Sequence, residues 1–515
     1  WGEPCLADSS GSKATHGRAL TAAALLSKRI KRLAKDDEHV GLLLPPSVAG
    51  AVANIAALLA GKVPVNLNYT VSSDGIRSAM ETCGIKRILT SRKFVEKAKL
   101  GLMPEMVMLE DLTAVITPWE KVRAMLAVRL LPRWMLRLMY SRRGLRPDDP
   151  ATVIFSSGST GVPKGIVLSH KNIAANIDGF CQVLSFRPDD CMCGVLPFFH
   201  SFGFTATLWA PMLRNFRVVY HPNPLDGKTI GRLIREHKAT HLIATPTFLM
   251  AYTRQCKPDD LTTLRMVVAG AEKLKPRIAD AFEEKFGIRP LEGYGCTELS
   301  PVAAVNIPDV RRPDGQVQVG TKEGTIGQPL PNVVAKIVDP ATGQALHAGE
   351  EGLLLIKGPS VMLGYLGQPE KTAEVIDDGW YKTGDIARID EDGFITITDR
   401  LSRFSKIGGE MVPHVAVEEA ICNVLGTGAS EHVCVVTSVP DERKGERLAV
   451  LHTRLPVSVG ELCEKLNDSG LPNLWIPRGD MFHEIGEIPL LGSGKVALSE
   501  IKKIAAEAFG PDGRN

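Results

Sequence analysis

The sequence carries almost no surplus of either charge: 61 Lys and Arg stand against 58 Asp and Glu, a net charge of +3 over 515 residues. A dedicated nucleic-acid binder usually shows a clearly basic total, so nucleic acid is not expected among its partners. Cysteine is sparse as well, with 10 residues spread from Cys5 to Cys463. That spread excludes a small secreted disulfide scaffold and makes reduced thiols in a cytosolic compartment the default. Cys191 and Cys193 form the closest pair, but no second pair stands at zinc-ligand spacing, and structural zinc normally takes four ligands. Long unbroken apolar runs are missing too. Val40 to Ala60 has the length to span a bilayer, yet Pro45, Pro46, Ser47 and Asn54 interrupt it. It reads better as a buried strand, a turn and a core helix. No signal peptide is visible, and the chain starts at Trp1 rather than Met, so a fragment with further sequence upstream is expected.

What remains is an ordinary globular composition, 44% hydrophobic and 23% charged, which argues against wholesale disorder, collagen or coiled coil. At roughly 150 residues per domain the length suggests two to four domains. Short runs rich in Val, Ile and Leu alternate with helix-length segments through the first part of the chain. Strands are expected at Val40–Leu44, Val63–Leu67, Arg87–Thr90, Ala151–Phe155, Phe216–Tyr220, His241–Ala244 and Arg265–Ala269, with helices such as Gly227–His237 and Pro276–Phe286. That alternation predicts an α/β architecture with largely parallel strands. From Gly324 the texture changes to short strands separated by Pro and Gly turns, a β-rich subdomain over 324–399. After Arg400 the expected order is a helix at 414–425, strands at Glu431–Val439 and Glu446–Thr453, and a helix at Val457–Leu466. The expected division is therefore a large domain over 1–400 and a small α+β domain over 401–515.

One segment breaks the even charge distribution. Lys121, Arg123, Arg129, Arg133, Arg137, Arg142, Arg143 and Arg146 fall in 26 residues that hold no Asp or Glu. Met125, Leu126, Leu130, Leu131, Trp134, Met135, Leu138 and Met139 lie between them. Two readings stand: a solvated helix with a basic face, or a basic amphipathic surface for an anionic membrane or an acidic protein. Pro132 should split the segment into two short helices.

The strongest local signal is "FSSGSTGVPKG", Phe155 to Gly165, directly after an expected strand. Small hydroxyl and glycine residues let backbone N–H groups approach phosphate oxygens, while Lys164 supplies a cation. Pro163 before the lysine and Gly165 after it rule out the nucleotide-binding G-x-x-x-x-G-K-[ST] loop, which makes a P-loop ATPase a weak reading. Further pieces follow in order. "EGYGCTE" ends at Glu298, a carboxylate suited to Mg2+ near phosphates. "WYKTGD" ends at Asp385, able to accept from two ribose hydroxyls, and "DRLSRFSKIGGE" spans Asp399 to Glu410. "IPLLGSGK" places Lys495 on a Gly/Ser loop near the end of the chain.

This ordered set resembles the adenylate-forming superfamily, which includes acyl-CoA synthetases, luciferases and peptide-synthetase adenylation domains. The resemblance implies a large N-terminal domain of αβ layers with a β-rich subdomain, and a small mobile α+β C-terminal domain. It implies attack of a carboxylate on the α-phosphate of MgATP, then rotation of the small domain and transfer of the acyl group to a thiol. Carried onto this sequence, Ser156, Ser157, Gly158, Ser159, Thr160, Gly161 and Lys164 would hold the β- and γ-phosphates. Tyr294 would stack on adenine beside Gly270, Ala271 and Glu272. Thr297 would contact the α-phosphate, Glu298 would bind Mg2+, and Asp385 with Arg400 would fix the ribose. Lys495 would bridge carboxylate and α-phosphate, where preorganised charge is worth most. In "PFFHSFG", His200 would gate the acyl pocket beside Phe199 and Gly203, although the phenylalanines are equally explicable as packing. Ser402 stands where the hinge usually has Asp or Lys, and Gly408 and Gly409 match the loop that lines the thiol tunnel.

Within the superfamily, "PVNLNYT", "TSRKFVEKAKL", "MLEDL", "SKIGGEMVP" and "PLLGSGK" look most like one branch. It is the acyl-[acyl-carrier-protein] synthetase half of bifunctional 2-acylglycerophosphoethanolamine acyltransferases. That likeness implies a long-chain fatty acid as substrate and the phosphopantetheine thiol of acyl carrier protein as acceptor, with ATP and Mg2+ as cofactors. Separately, the scattered thiols and the basic, apolar-laced residues 121–146 lead to the expectation of a cytoplasmic protein, peripheral on the inner face of the cell membrane through that segment. Two alternatives stay open: a long-chain fatty acyl-CoA synthetase, and a catalytically silent lipid-binding module on the same fold. His221 and Asp226 also satisfy the H-x-x-x-x-D spacing of glycerolipid acyltransferases, but Pro222 and Pro224 fit a turn there.

Overall fold

Short aliphatic runs become the inner strands of two parallel sheets, because helices cover both faces of such strands. The computed structural model describes residues 1–140, 144–156, 163–311, 313–407, 410–426, 433–441, 445–469, 471–490 and 496–509. Among them one sheet runs Gln328–Pro329, Val302–Val305, Leu291–Gly295, Met266–Ala269, His241–Ala244, Cys191–Gly194, Arg217–Tyr220, Pro4–Asp8, Lys13–Thr15. It is parallel from Leu291–Gly295 across to Pro4–Asp8 and antiparallel at both ends. A second, wholly parallel sheet orders Val63–Asn66, His39–Leu42, Ile88–Thr90 and Met106–Met108. Between them lies a small antiparallel sheet of Gly364–Tyr365, Lys164–Ser169 and Pro150–Ser156. The Thr152 hydroxyl ties it to the second sheet by donating to the Pro64 carbonyl at 2.8 Å.

Local chemistry sets the element ends. Helix Gly227–His237 starts at Asp226, whose carboxylate accepts the Thr229 N–H at 3.1 Å. Helix Pro276–Phe286 stops where Gly287 turns left-handed. The apolar stretch from Val40 resolves into strand His39–Leu42 and helix Val48–Leu59, capped by the Ser47 hydroxyl. Asn54, which seemed to interrupt it, is buried and exchanges hydrogen bonds of 3.1 and 2.8 Å with Asn66. Among the described residues no helix is long and apolar enough to cross a membrane. Leu131 and Pro132 separate helix Pro118–Leu130 from helix Arg133–Tyr140.

Beyond Gly324 the chain builds an antiparallel sheet of Val334–Val338, Gly352–Lys357, Trp380–Ile389, Ile376–Asp377 and Ile395–Arg400. After Arg400 another sheet combines Glu410–Pro413, Phe404–Ile407, Gly445–His452, Cys434–Asp441 and Phe482–Glu484. It has its own apolar core, centred on Val417, Ile421, Val436, Val450 and Leu462. The strand expected at 431–439 is seen as Cys434–Asp441; residues 431 and 432 lie outside the described residues. The helix expected from Val457 begins at Val459, because Ser458 caps it. Contacts with the large body are both apolar and polar: Phe404 packs against the cluster of Val338, Leu353, Leu355 and Ile386, Lys273 Nζ reaches Glu419 at 3.7 Å, and Asp399 Oδ2 accepts the Val415 N–H at 3.3 Å.

His221 and Asp226 do meet, at 3.5 Å, but inside a turn. His221 is buried against the Ser9 hydroxyl at 2.8 Å, and Asp226 is occupied as a helix cap, so the turn explains both residues.

Candidate functional site

The site begins with strand register. Strands Trp380–Ile389 and Ile395–Arg400 pair antiparallel with Asp385 opposite Arg400. Arg400 Nε therefore donates to Asp385 Oδ1 at 3.0 Å. From another sheet, Tyr294 donates its hydroxyl to Asp385 Oδ2. Asp385 is buried, and its charge holds the Arg400 guanidinium above its usual range. Burial first, and then the Asp385 charge, pushes the Tyr294 phenol well up, so it stays a neutral donor. Three segments separated by up to about a hundred residues thus converge on one carboxylate, and a carboxylate offers about four acceptor positions. Asp385 keeps room for a ribose.

Gly295 lets Tyr294 come this close. A Cβ there would stand 1.8 Å from the Pro301 carbonyl oxygen, where the strand pairing shifts by a bulge. Gly270, at the end of strand Met266–Ala269, lies beside the Gly293 carbonyl and against the Phe202 ring. Ala271 takes a left-handed φ of 68°, and the Glu272 carboxylate accepts the Thr247 hydroxyl at 2.7 Å. The backbone of 270–272 and Tyr294 are therefore neighbours, as an adenine slot requires.

Thr297 and Glu298 form a short turn directly after the Tyr294 strand. The Thr297 hydroxyl lies 3.1 Å from the Ser201 hydroxyl, which joins "CTE" to "PFFHSFG". Tyr365 donates its hydroxyl to Glu298 Oε1 at 3.1 Å, and Lys164 Nζ lies 4.8 Å above the Tyr365 ring. One tyrosine thus links the phosphate-loop cation to the candidate magnesium carboxylate. Tyr365 arrives there because Gly364–Tyr365 adds a two-residue strand to Lys164–Ser169. Met362 N–H donates to the Glu298 carbonyl at 2.8 Å and fixes the same segment.

Phe199 is buried and its ring lies 5.0 Å from that of exposed His200. Gly203 starts a π-helical turn, Gly203–Trp209, a wide turn frequent at functional sites. Several expected residues fall elsewhere: Ser157, Gly158, Ser159, Thr160, Gly161, Gly408, Gly409 and Lys495 lie outside the described residues. Ser156 ends strand Pro150–Ser156, and Ser402 lies in the turn Leu401–Arg403. The sequence reading missed Tyr365, Ser201 and Glu292. Glu292 is the first residue of "EGYGCTE" but received no role there, and its Oε1 accepts the Leu274 N–H at 3.0 Å.

Among the described residues no group of three or more His, Cys, Asp or Glu could hold a metal ion. A single carboxylate such as Glu298 fits magnesium shared with phosphates, since Mg2+ keeps waters and takes one or two protein carboxylates.

Residues 2–366 match the family described as AMP-binding enzyme. A probable 4-coumarate–CoA ligase 3 of Dictyostelium discoideum is 38% identical over 277 residues, 52% of this chain and 48% of that protein. The chain thus spans about half the length of that curated relative. The long-chain-fatty-acid–CoA ligase of Bacillus subtilis (strain 168) is 31% identical over 356 residues, 68% of this chain and 60% of the relative. The crystal structure of ATP-bound MatB from Rhodopseudomonas palustris superposes with a TM-score of 0.78 at 24% identity, over 99% of this chain and 97% of its own.

Proposed function

The chain belongs to the AMP-binding enzyme family and has the adenylate-forming enzyme fold; on that premise we propose that it is an ATP-dependent acid–thiol ligase. It activates a long-chain fatty acid as acyl-AMP with release of pyrophosphate. It then passes the acyl group to the phosphopantetheine thiol of acyl carrier protein, releasing AMP. The observation that carries this reading is the convergence of Tyr294 and Arg400 on the buried carboxylate of Asp385.

Each residue has a stated task. Asp385, oriented by two donors, accepts the ribose hydroxyls, and the 270–272 backbone with Tyr294 receives the base. Glu298, held by Tyr365, is the carboxylate that fits magnesium. When bound, the ion neutralises phosphate charge. Thr297, near Ser201, faces the position of the α-phosphate, and Lys164 meets the outer phosphates. His200, Phe199 and Gly203 belong to the wall of the acyl pocket. Lys495 is assigned from its motif: it draws the carboxylate to the α-phosphate and stabilises the charge that builds there.

The fatty acid is supported by the likeness to the Bacillus subtilis long-chain ligase, and the carrier-protein acceptor by the branch-like strings from "PVNLNYT" to "PLLGSGK". A second reading, fatty acid to CoA, is favoured by the printed names of the relatives, which are CoA ligases. Both share the first half-reaction. Fatty-acid-dependent exchange of labelled pyrophosphate into ATP is expected, and Lys495→Ala should lower it on the order of a hundredfold or more. Exchange at the wild-type rate would take the lysine out of its role. Thioester yield with holo carrier protein and with CoA then separates the acceptors, and a clear preference for CoA overturns the carrier reading. No acyl-AMP from any carboxylate would leave a silent lipid-binding module.

A further inference from the structure

Helix Pro118–Leu130 is fastened to the body along one face. Ala124 packs with Leu25 and Ile116, and Val128 packs with Ala24 and Tyr140. A capping box of Thr117 and Glu120 starts the helix, and Arg29 grips Glu120 through both oxygens at 2.9 and 2.8 Å. At about 100° per residue, the face opposite Ala124 and Val128 carries Trp119, Val122, Leu126 and Leu130. A surface helix is ordinarily polar on that side. Here these four side chains are 77%, 41%, 45% and 69% exposed.

The second helix, Arg133–Tyr140, repeats the arrangement. Tyr140 is buried beneath Lys28 Nζ, 5.7 Å from its ring, while Trp134 and Leu138 turn outward at 64% and 61% exposure. Lys121, Arg123, Arg129 and Arg137 are exposed among these apolar groups, and no Asp or Glu occurs from 121 to 146. Soluble monomers rarely leave so much apolar surface on one element without a use.

We propose that the outward face of residues 118–140 docks on an anionic phospholipid bilayer, such as the inner face of a cell membrane. Tryptophan settles at the headgroup level, leucines enter the acyl boundary, and Lys and Arg meet anionic headgroups. The charge argues against a second copy docked face to face, which would set one acid-free basic face against another. The inference is independent of the acyl acceptor, because no residue of the adenylate site takes part.

Flotation of the 515-residue chain with phosphatidylglycerol/phosphatidylcholine vesicles tests it, with pure phosphatidylcholine as the comparison. Binding to the anionic vesicles is expected, weakening as salt rises. Arg123→Glu, Arg129→Glu and Arg137→Glu together should weaken it on the order of a hundredfold. Trp119→Ser, Leu126→Ser and Trp134→Ser together should weaken it roughly tenfold or more and abolish the blue shift of tryptophan emission. All six side chains are exposed, so unchanged thermal melting confirms that the variants fold. Failure of the wild-type chain to float with anionic vesicles overturns the proposal, as does floating unchanged in both triple variants. So does loss of self-association, or of carrier-protein binding, in these variants while vesicle binding stays intact.

Discussion

Burial pushes the Glu292 carboxyl from 4.5 up to about 7, even though its Oε1 accepts the Leu274 N–H at 3.0 Å. The folded chain therefore holds this proton more tightly than the unfolded chain does. Its contribution to stability is fully present below about 4.5 and is lost as the pH rises through about 7. Glu292→Gln should flatten that part of the stability profile: the melting temperature of the wild type should fall relative to the variant between pH 5 and pH 8. A difference between the two that stays constant over this interval would refute the assignment. The same residue shows what a sequence can and cannot disclose. Asp385, Arg400, Tyr294 and Glu298 were legible because each stands in a motif whose order along the chain is specific. Glu292 heads the same "EGYGCTE" motif but its place there assigned it no role, and Tyr365 stands in none of the motifs. Tyr365 gains its role only when a two-residue strand joins Lys164–Ser169 and carries its hydroxyl to Glu298, a contact without any spacing signature.

Elements were legible where their ends carry chemistry. Helix Gly227–His237 was foreseen with its observed bounds because Asp226 marks its start, and helix Pro276–Phe286 because Gly287 marks its end. Strand Cys191–Gly194 was not foreseen, since "CMCG" is buried on both faces and lacks alternation or β-branched residues. The turn Gly203–Trp209 was also hidden, because a π-helix has no period of its own in the sequence. Its first residue is testable. A Cβ on Gly203 would stand 2.1 Å from the Pro197 carbonyl oxygen and 2.7 Å from that of Leu196, and backbone cannot yield as a flexible side chain can. Gly203→Ala should cost about 2 kcal/mol or more in denaturant unfolding. It should also reduce pyrophosphate exchange, because Ser201 beside Thr297 belongs to the same segment. Gly460→Ala is the control: nothing lies within 4 Å of its Cβ, and it sits in helix Val459–Asn467. There the substitution should be neutral or stabilising by up to about 1 kcal/mol. Equal effects at the two positions would show that the close approach at Gly203 is not what constrains it.

At the scale of the whole molecule the near-zero net charge conceals a separation. Setting aside the eight basic residues of 121–146 leaves 53 basic against 58 acidic residues, so a mildly acidic body carries one concentrated basic face. The junction near Arg400 shows a second separation, of packing. Each side has its own apolar core; across the junction Phe404 packs against Val338, Leu353, Leu355 and Ile386, and polar bonds join Lys273 to Glu419 and Asp399 to the Val415 N–H. The Lys273–Glu419 pair is exposed at both partners, 63% and 54%, and such pairs are worth about 0–1 kcal/mol. Burial raises the Asp399 carboxyl to about 6, while the Val415 N–H across the junction favours its charged form. The exposed pair therefore does little to hold the junction closed, and the proposed two-step reaction requires its release if the small domain presents Lys495 first and the thiol tunnel second. Lys273→Cys with Glu419→Cys, joined by a short bis-maleimide, would hold the junction in the arrangement seen here. The joined protein should keep one half-reaction in single turnover, acyl-AMP formation or thioester formation from added acyl-AMP, and lose steady-state turnover. The same double variant without the linker should retain both. If the joined protein turned over at the rate of the unlinked one, both half-reactions would run from a single arrangement, and no release of the junction would be required.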